Sequence, residues 1–370
     1  MNEKDTVFYT DLSTGEGCSI EDKVNLILDA AKIDSFIRKN EIVAIKVHVG
    51  ERGNLGYLSH NFSRIVVKRV KKREAKPFLT DTCTLYSGGR HNAVDHCITA
   101  EEHGFNYAST GAVFIPADGL RGDEYEEIPF NGKHFNKVRV ATLFLRADKI
   151  IFLTHFKGHL MAGFGGSMKN LAMGCSPASG KKAQHSDSKP FIKKERCTSC
   201  GQCLIACPAA AISWKDGKAD INYSLCIGCG QCVAVCNFHA AEIHWDTGEN
   251  IFIEKMSEYA VAIHKALNKK VFYINFALNI TPDCDCWGEN DLPVVLDTGI
   301  FASTNPLALD RATLDEVNKS PVNPLSRYAS QIKPSQNIFN AIRPHIDCEK
   351  IFSYSHSMGL SDSYELKRVK

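Results

Sequence analysis

The chain has 370 residues, its 44 lysines and arginines nearly balance 42 aspartates and glutamates, and its mean hydropathy is −0.19. This balance excludes the one-sided charge that nucleic-acid binding or attraction to an anionic membrane requires, and the length predicts two or three domains. No positively charged leader precedes an apolar run, and no stretch is long enough to span a bilayer. We therefore expect a cytoplasmic protein with no membrane span and no nucleic-acid partner.

Strands and helices alternate along the first half of the chain. Short apolar runs predict strands at 7–9, 42–47, 78–80, 113–115 and 149–154, and apolar residues at helical spacing predict helices at 21–37, 61–76 and 90–103. An antiparallel excursion over 125–140 turns at Asn131-Gly132. Helix 61–76 is basic but lacks interleaved aromatic residues, so we interpret it as a solvated face. This order predicts an α/β fold with a largely parallel, helix-covered sheet.

A glycine-rich run lies between Gly163 and Asn170 and reads Gly-Phe-Gly-Gly-Ser-Met-Lys-Asn. Consecutive glycines let backbone amides point inward, and a helix that starts near Ser167 would add its positive end. The run thus predicts an anion site made by Gly165, Gly166 and Lys169. Its lysine spacing is not that of a Walker loop, and a simple tight bend is the alternative.

Eight cysteines between Arg196 and Trp245 form the most specific pattern. They repeat C-x₂-C-x₂-C-x₃-C twice, at Cys197, Cys200, Cys203, Cys207 and at Cys226, Cys229, Cys232, Cys236. In this spacing three thiolates hold one iron–sulfur cube and the fourth crosses to the other, which predicts two [4Fe–4S] clusters. A pair of zinc sites is the alternative, but zinc takes four ligands and needs no third closely spaced cysteine.

The exchange of the fourth cysteine assigns the ligands to the two clusters. We assign Cys197, Cys200, Cys203 and Cys236 to one cluster, and Cys226, Cys229, Cys232 and Cys207 to the other. Proline follows the first motif at Pro208, whereas Asn237 follows the second. Committing eight of fifteen cysteines as thiolates fits a reducing, low-oxygen cytoplasm.

The α/β pattern resumes after the cysteine motifs. We predict a helix at 251–267, strands at 271–276 and 294–297, and a helix at 305–318 capped by Asn305. The cysteine-rich part is therefore an α+β dicluster ferredoxin-like domain at 191–246, inserted between the α/β segments 1–190 and 247–320. Residues 321–370 form an extension that packs on the α/β domain, with a short helix near 336–342.

Reactive side chains follow the predicted strands, where parallel sheets bind ligands. They are His48, Asp81, Cys83, His155, Lys157, His159, Cys284, Cys286, Asp297 and Thr298. We expect them to share one rim. In this interpretation His155 or His159 is the acid/base, and Lys157 and Lys169 hold an anionic substrate.

Cys284 and Cys286 stand in an unusual Asp-Cys-Asp-Cys sequence. In an extended C-x-C both thiols face one side, so they can meet one metal, and Cys175 would supply a third sulfur. This predicts a third metal or redox site, with inert buried cysteines as the alternative. We interpret Cys18, Cys97 and Cys348 as structural and leave Cys83 out of the site.

Several motifs together resemble the "domain of unknown function 362" proteins, iron–sulfur centre proteins of unknown activity. The matching segments are Ile-Lys-Val-His48, Thr80-Asp81-Thr82, Thr154-His155-Phe-Lys157-Gly158-His159, Gly165-Gly166-Ser-Met-Lys169-Asn170-Leu, the double cysteine motif, Asp283-Cys284-Asp285-Cys286 and Asp297-Thr-Gly-Ile-Phe-Ala-Ser. The resemblance extends from about Val7 to Val317. It implies two [4Fe–4S] clusters and no particular reaction.

These observations favour a ferredoxin-dependent oxidoreductase whose two clusters relay electrons to a substrate or metal on the rim. Its partner would be a ferredoxin, a flavodoxin or a reductase. A non-catalytic electron-transfer or cluster-delivery protein is the rival interpretation, and a non-redox enzyme with structural clusters is a third. No G-x-G-x-x-G opens the first strand–helix turn, so we predict no bound NAD, while a flavin stays open.

Overall fold

The computed structural model describes residues 4–15, 17–86, 88–185, 189–207, 209–226, 228, 230–242, 244, 248–333 and 336–370. Among these residues, no helix combines the length and the apolar character needed to cross a lipid bilayer.

The strands of this part of the chain are β1 Asp5–Thr10, β2 Ile42–Lys46, β3 Lys76–Thr80, β4 Tyr125–Pro129, β5 Lys137–Ala141, β6 Lys149–His155, β7 Lys157–His159, β8 Gly163–Gly165, β9 Phe191–Ile192, β10 Ile212–Lys215, β11 Lys218–Ile221, β12 Ala241–Glu242, β13 Val271–Ala277, β14 Gly299–Ser303 and β15 Tyr364–Arg368. The helices are α1 Ile20–Ala30, α2 Ile33–Phe36, α3 His60–Lys72, α4 Ala93–Glu102, α5 Tyr107–Thr110, α6 Thr142–Arg146, α7 Ser167–Gly174, α8 Ala178–His185, α9 Gln202–Ile205, α10 Gln231–Ala234, α11 Glu249–Leu267, α12 Pro306–Val317, α13 Ile338–Ile342 and α14 Lys350–Ser357.

A seven-stranded sheet in the order β15-β1-β14-β13-β6-β2-β3 forms the centre of the fold. Strands β3, β2, β6 and β13 are mutually parallel, β14 runs antiparallel to both of its neighbours, and β1 pairs in parallel with β15. Helices cover both faces. The predicted α/β fold with a largely parallel, helix-covered sheet is thus confirmed.

Successive side chains of the central strands point to opposite faces of the sheet, which explains why helices cover both faces. In β6, Ile150 and Phe152 belong to the core under α7, α11 and α12, whereas Ile151 and Leu153 belong to the core under α1 and α3. A strand whose successive side chains are all apolar must bury both of its faces. The parallel strands therefore lie in the middle of the sheet.

Two predicted strands do not form among the described residues. Segment 113–115 makes only an isolated bridge between Phe114 and Leu79, and the prediction at 294–297 is wrong, because that segment makes only a bridge between Val295 and Val322. The strand there is β14, whose five residues are all buried between β1 and β13. The cap predicted at Asn305 is confirmed, since its side chain accepts from the amides of Leu307 and Ala308.

The antiparallel direction of β14 has a topological effect on the loop at 278–298. Strand β13 ends at the carboxyl edge of the parallel strands, and β14 starts from the same edge. The connection therefore stays at this edge, and it carries Cys284 and Cys286. A parallel successor would have needed a crossover to the opposite edge.

The segment between α8 and α11 has its own small core. Two antiparallel pairs, β10-β11 and β9-β12, frame the short helices α9 and α10. Pairing of β12 with β9 brings the start and the end of the segment together. Its core contains Cys197, Cys232 and Cys236, together with Leu85 and Ala178 from outside the segment.

The last residues of the chain complete the α/β layer. Strand β15 pairs in parallel with β1, and helix α14 contributes Ile351 and Phe352 to the core that α11 also builds. Within 321–370 the structure also has α13, which starts after the cap Asn337.

Candidate functional site

A cavity of about 130 Å³ lies at the carboxyl ends of β2, β3, β6 and β13. It brings together most of the predicted rim: His48, Asp81, His155, Lys157, His159, Gly165, Gly166, Lys169 and Cys286 all line it. Asp297 and Thr298 are not among the lining residues. They precede β14 instead of ending a parallel strand, which explains their position.

Asp285 is the centre of the charged network in this cavity. Its carboxylate lies 2.8 Å from Nδ1 of His155 and 3.0 Å from Nζ of Lys157. Burial opposes its charge, but His155 and Lys157 outweigh burial and lower the pKa of Asp285. The Asp285 backbone carbonyl also accepts from the Glu51 amide at 2.9 Å, which ties the cysteine loop to the loop after β2.

The hydrogen bonds of His155 differ from those expected for the predicted acid/base. Its Nδ1 faces Asp285, and its Nε2 lies 2.8 Å from the carbonyl oxygen of Leu278. Both ring nitrogens therefore already have acceptors, and the ring is almost fully buried. We interpret His155 as a positioning residue that orients Asp285, which leaves His159 as the predicted acid/base that faces the sulfur atoms.

The thiols of Cys284 and Cys286 converge with His159. Their ligand atoms all lie within 4.8 Å of one another, so this cysteine and histidine cluster could bind a metal. The cysteines are not extended, because the Trp287 amide donates to the Cys284 carbonyl at 3.2 Å and closes a tight turn. This turn brings the thiols together.

The two thiols differ in their electrostatic surroundings. A hydrogen bond from the Cys286 thiol, reinforced by the charges of Lys169 and Lys157 against the effect of burial, lowers the pKa of Cys284 well below its usual range. The same hydrogen bond, together with burial, raises the pKa of Cys286. Nζ of Lys169 lies 3.7 Å from the Cys284 sulfur. The geometry favours a Cys284 thiolate that accepts a proton shared by Cys286.

Two further histidines face this sulfur pair in their neutral forms. Burial and the Lys169 charge lower the pKa of His159 well below its usual range. Burial and the Arg90 charge lower the pKa of His48 to about 4. Nη1 of Arg90 lies 3.0 Å from Nδ1 of His48, so the ring's other nitrogen is left to donate to Cys284.

The glycine-rich run differs from the prediction in one respect. Helix α7 starts at Ser167 as expected, but Asp310 accepts from the amides of Ser167 and Met168 at 2.7 and 2.9 Å. A Cβ on Gly166 would lie 2.3 Å from the same carboxylate. The predicted anion site on these amides is therefore wrong, because a buried side chain already occupies the helix start. Of the three residues predicted to form that site, Gly165 and Gly166 line the cavity without a charge, and Lys169 lines it with its ammonium group.

We expect Asp310→Ala to lower the free energy of unfolding by about 3 kcal/mol, because buried amides would lose their charged acceptor. Urea denaturation followed by circular dichroism measures this change. Glu316→Ala on the same helix is the matched control. Its carboxylate pairs at the surface with Lys319, so its loss should cost less than about 1 kcal/mol. Equal effects of the two substitutions would contradict the assigned role of Asp310.

Cys175 does not join the other two cysteines. It follows the last turn of α7 and lies fully buried in the hydrophobic core, where burial raises the pKa of its thiol. The predicted third sulfur ligand is thus wrong, and His159 stands in its place. Cys83, which the sequence left out of the site, is also buried, and its amide donates to Asp118.

Several cavity residues were missed by sequence reasoning. They are Lys46, Tyr86, Arg90 and Lys181, with Glu51 behind Arg90. Lys46 had a readable signal, because a lysine that ends a buried apolar strand needs a partner; it lies 2.9 Å from Asp81. The others lie in loops and in α8, where no periodicity indicates which way a side chain points.

Positive charge exceeds carboxylate charge around the cavity. Its cationic side chains are Lys46, Arg90, Lys157, Lys169 and Lys181. Carboxylates pair with the first three, through Asp81, Glu51 and Asp285. Within the part of the chain that the structure describes, no carboxylate lies within ion-pair distance of Lys169 or Lys181. The Lys181 ammonium donates to the Thr82 hydroxyl and to the carbonyls of Cys83 and Ser176, which leaves Lys169 as the cation that faces the cavity. The site therefore favours additional negative charge.

The predicted cluster cysteines form two groups. The outer cysteine group, Cys197, Cys200, Cys203 and Cys236, lines one pocket with Trp214 and Phe238. The inner cysteine group, Cys207, Cys226 and Cys232, lines a second pocket. Cys229, Pro208 and Trp245 lie outside the described residues. The crossing of Cys207 and Cys236 into the opposite group is the arrangement expected from the repeated spacing.

Helix α8 contacts both the inner cysteine group and the cavity. Lys181 and His185 line the cavity. Ala178 belongs to the core that contains Cys232, and a Cβ on Gly230 would lie 2.8 Å from Cγ of Lys182. These four residues of α8 are spaced i, i+3, i+4 and i+7, so they share one face of the helix. The inner group and the cavity are therefore neighbours along this face.

The loop after β3 forms a second part of the same wall. Thr84 and Tyr86 line the cavity, whereas Leu85 between them packs into the core that contains Cys232. The Tyr86 hydroxyl also donates to the Cys286 carbonyl at 3.0 Å. One short segment thus contacts both the cysteine-rich segment and the Cys284–Cys286 turn.

Comparisons with known proteins give one family and distant structural similarities. The family model described as "Domain of unknown function (DUF362)" matches residues 43–315. The lactate racemase apoprotein from Thermoanaerobacterium thermosaccharolyticum is similar at 14% identity and a TM-score of 0.38, over 74% of this chain and 51% of that chain. A protein from Thermotoga maritima is similar at 10% identity and a TM-score of 0.38, over 74% and 54%. The chain thus spans about half of those two proteins, and no curated protein matches it.

Proposed function

Because the chain belongs to the family described as domain of unknown function DUF362, which assigns no activity, we propose its function from its residues. The protein is an iron–sulfur oxidoreductase that relays electrons from two [4Fe–4S] clusters in its inserted ferredoxin-like segment to the cavity that Cys286 lines and beside which Cys284 is buried. The observation that carries this proposal is the position of α8, a single face of which both contacts the inner cysteine group and lines the cavity.

The residues of the two cysteine groups fit such clusters. When bound, the clusters supply one-electron transfer. Backbone amides already point at the ligand sulfurs: Ala211 donates to Cys207 at 3.2 Å, and Ala240 donates to Cys236 at 3.2 Å. Amides that donate to sulfur stabilise thiolate ligands and tune cluster potentials. Most other residues that line the two pockets are small or apolar, with Gln202 and Gln231 as exceptions.

The two groups differ in exposure, and this gives the relay a direction. In the outer group Cys200 is exposed, and Trp214 beside it is 48% exposed. The inner group instead packs on Leu85 and Ala178. A redox partner protein would therefore dock at the outer group. Electrons would leave from the inner group, past the face of α8 that both sites share.

A non-catalytic electron carrier is the second candidate function. The lining of the cavity argues against it, because a carrier needs no buried site that combines a thiol pair with surplus positive charge. The ammonium of Lys169, which has no carboxylate partner among the described residues, matches a small anionic substrate. A non-redox enzyme with structural clusters would likewise leave the position of α8 without a role.

We expect anaerobically purified protein to contain about eight iron and about eight acid-labile sulfide atoms per chain, as two [4Fe–4S] clusters require. Iron and sulfide assays measure the content, and electron paramagnetic resonance of the dithionite-reduced protein shows the paramagnetic clusters. Protein with Cys97→Ser is the control, since Cys97 is in neither group. About four iron per chain, or zinc in place of iron, would contradict the proposal.

A further inference from the structure

We propose that Cys284 and Cys286 form a redox-active dithiol that reduces small, negatively charged disulfides. The inference rests on the proposed function for its supply of electrons. The exchange chemistry itself involves only this chain's thiols.

The surroundings of the Cys284 sulfur are those of a thiolate held by donors. Lys169 points its ammonium at the sulfur from 3.7 Å. The Cys286 sulfur lies within 4.8 Å of it, and Cys286 and His48 both lower the pKa of the Cys284 thiol. A sulfur that accepts from several donors is stabilised as an anion, which is the attacking form in thiol–disulfide exchange.

Hydrogen bonding also favours a dithiol over a metal at this point. Nδ1 of His159 accepts from the amides of Met161 and Ala162 at 3.3 and 3.1 Å, so the neutral ring carries its proton on Nε2. A metal on Nε2 would displace that proton and leave Nδ1 without one. It would also require a second buried thiolate at Cys286, although the Cys284 thiolate already faces the ammonium of Lys169. A thiolate–thiol pair satisfies all of these groups as they stand.

The turn at Cys284–Trp287 places two thiols where they can form a disulfide, and a dithiol and its disulfide are a two-electron redox couple. It brings the sulfur atoms of Cys284 and Cys286 within 4.8 Å, so a small movement closes a disulfide. Near neighbours in sequence make strained disulfides, and strained disulfides are the ones that are readily reduced. A disulfide that is readily reduced suits a catalytic cycle better than a permanent structural cross-link.

The charge and the size of the cavity define the substrate class. Lys169 has no carboxylate partner among the described residues and lines a cavity of about 130 Å³. A water molecule takes about 30 Å³ of liquid volume, so the space suits one end of a small molecule and excludes a protein chain. A low-molecular-weight disulfide with a carboxylate beside the sulfur matches both properties.

The reaction balances with these groups alone. The Cys284 thiolate attacks one sulfur of R–S–S–R′, a Cys284–SR bond forms, and R′S⁻ leaves with a proton from Lys169. Cys286 then attacks the Cys284 sulfur, a Cys284–Cys286 bond forms, and RS⁻ leaves with the Cys286 proton. One substrate disulfide becomes two thiols as the dithiol is oxidised. Two electrons from the relay and two protons restore the Cys284 thiolate, the Cys286 thiol and the Lys169 ammonium.

Stoichiometric exchange without any electron donor tests this proposal. We expect anaerobic holoprotein whose thiols are reduced and whose clusters are oxidised to release two equivalents of thiol per chain when it is mixed with 3,3′-dithiodipropionate, and mass spectrometry to find a Cys284–Cys286 disulfide. In Cys286→Ser the mixed disulfide should accumulate on Cys284 with one equivalent released. The cationic disulfide cystamine should react at least about tenfold more slowly, and Lys169→Met should narrow that difference. Cys97→Ser is the control and should behave as the parent protein.

Several outcomes would overturn the dithiol. These are modification of Cys97 in preference to Cys284, equal rates for the anionic and cationic disulfides, or a zinc ion retained by the parent protein and lost from Cys284→Ser. Because this assay needs no electron flow, it can succeed in protein that contains no iron. Its failure is therefore distinguishable from failure of the relay.

Discussion

Replacing Cys207 by Ala is expected to remove the cluster of the inner cysteine group and to leave the outer one. Cys207 lines the inner pocket with Cys226 and Cys232, although in sequence it belongs to the first motif. Iron should fall from about eight to about four atoms per chain. Electron transfer to the cavity should stop, because the inner group is the one that contacts α8. Iron assay and electron paramagnetic resonance of the reduced variant measure both effects.

The matched variant is Cys200→Ala, at the exposed edge of the outer group. It should also lose about four iron atoms, but it should keep the cluster next to α8. Dithionite should then still reduce the remaining cluster, and the cavity should still receive electrons from it. If Cys207→Ala instead removed the outer cluster, the crossed assignment of the two groups would be incorrect.

The double substitution Cys284→Ser and Cys286→Ser is expected to abolish disulfide reduction while iron content stays at about eight atoms per chain. Without the sulfur pair no group in the cavity can attack a disulfide, so the rate should fall on the order of 10³-fold or more. Recovery of visible absorbance when reduced protein meets 3,3′-dithiodipropionate measures the coupled rate.

Serine keeps the size of the side chains, so the fold of the double variant should match the parent protein by circular dichroism. Cys97→Ser again serves as the control for loss of a thiol elsewhere, since Cys97 is exposed on α4. An unchanged reoxidation rate in the double variant would show that electrons pass from the clusters to an acceptor in solution without Cys284 and Cys286. The electron-carrier interpretation would then be the better one.

Much of the cavity was predictable because one rule connects pattern to position. Parallel strands read as short apolar runs, and residues just after them share one edge of the sheet. This rule placed His48, Asp81, Lys157 and Cys286 together although they come from distant parts of the chain. The rule needs only the direction of each strand, which the alternation of strands and helices supplies.

The hydrogen-bond partner of each side chain in the site was not predictable in the same way. Asp310 occupies the start of α7 from a helix more than a hundred residues later in the chain, and no local pattern marks it. His155 was placed correctly on the rim, but its bond to Asp285 takes it away from proton transfer. Hydrogen-bond pairing depends on distances of tenths of an ångström, whereas periodicity fixes only which face a side chain is on.

The missing strand at 294–297 shows a related limit. Its apolar residues resemble a buried strand, yet Leu296 is 53% exposed, and the following run from Gly299 pairs with β1 and β13 instead. Both runs satisfy strand propensity. The run that becomes a strand is the one that fits between β1 and β13. This depends on tertiary structure, which local sequence does not contain.

The loop at 278–298 leaves the sheet and returns to it at the same edge, so its length is independent of the sheet's register. Residues can be added or removed after Trp287 without shifting β13 or β14, because loops on a surface accept such changes. The first part of the loop is held separately, through the Glu51 amide on Asp285 and the Asn54 side chain on Trp287. A change of loop length after Trp287 would therefore leave the turn that carries Cys284 and Cys286 in place.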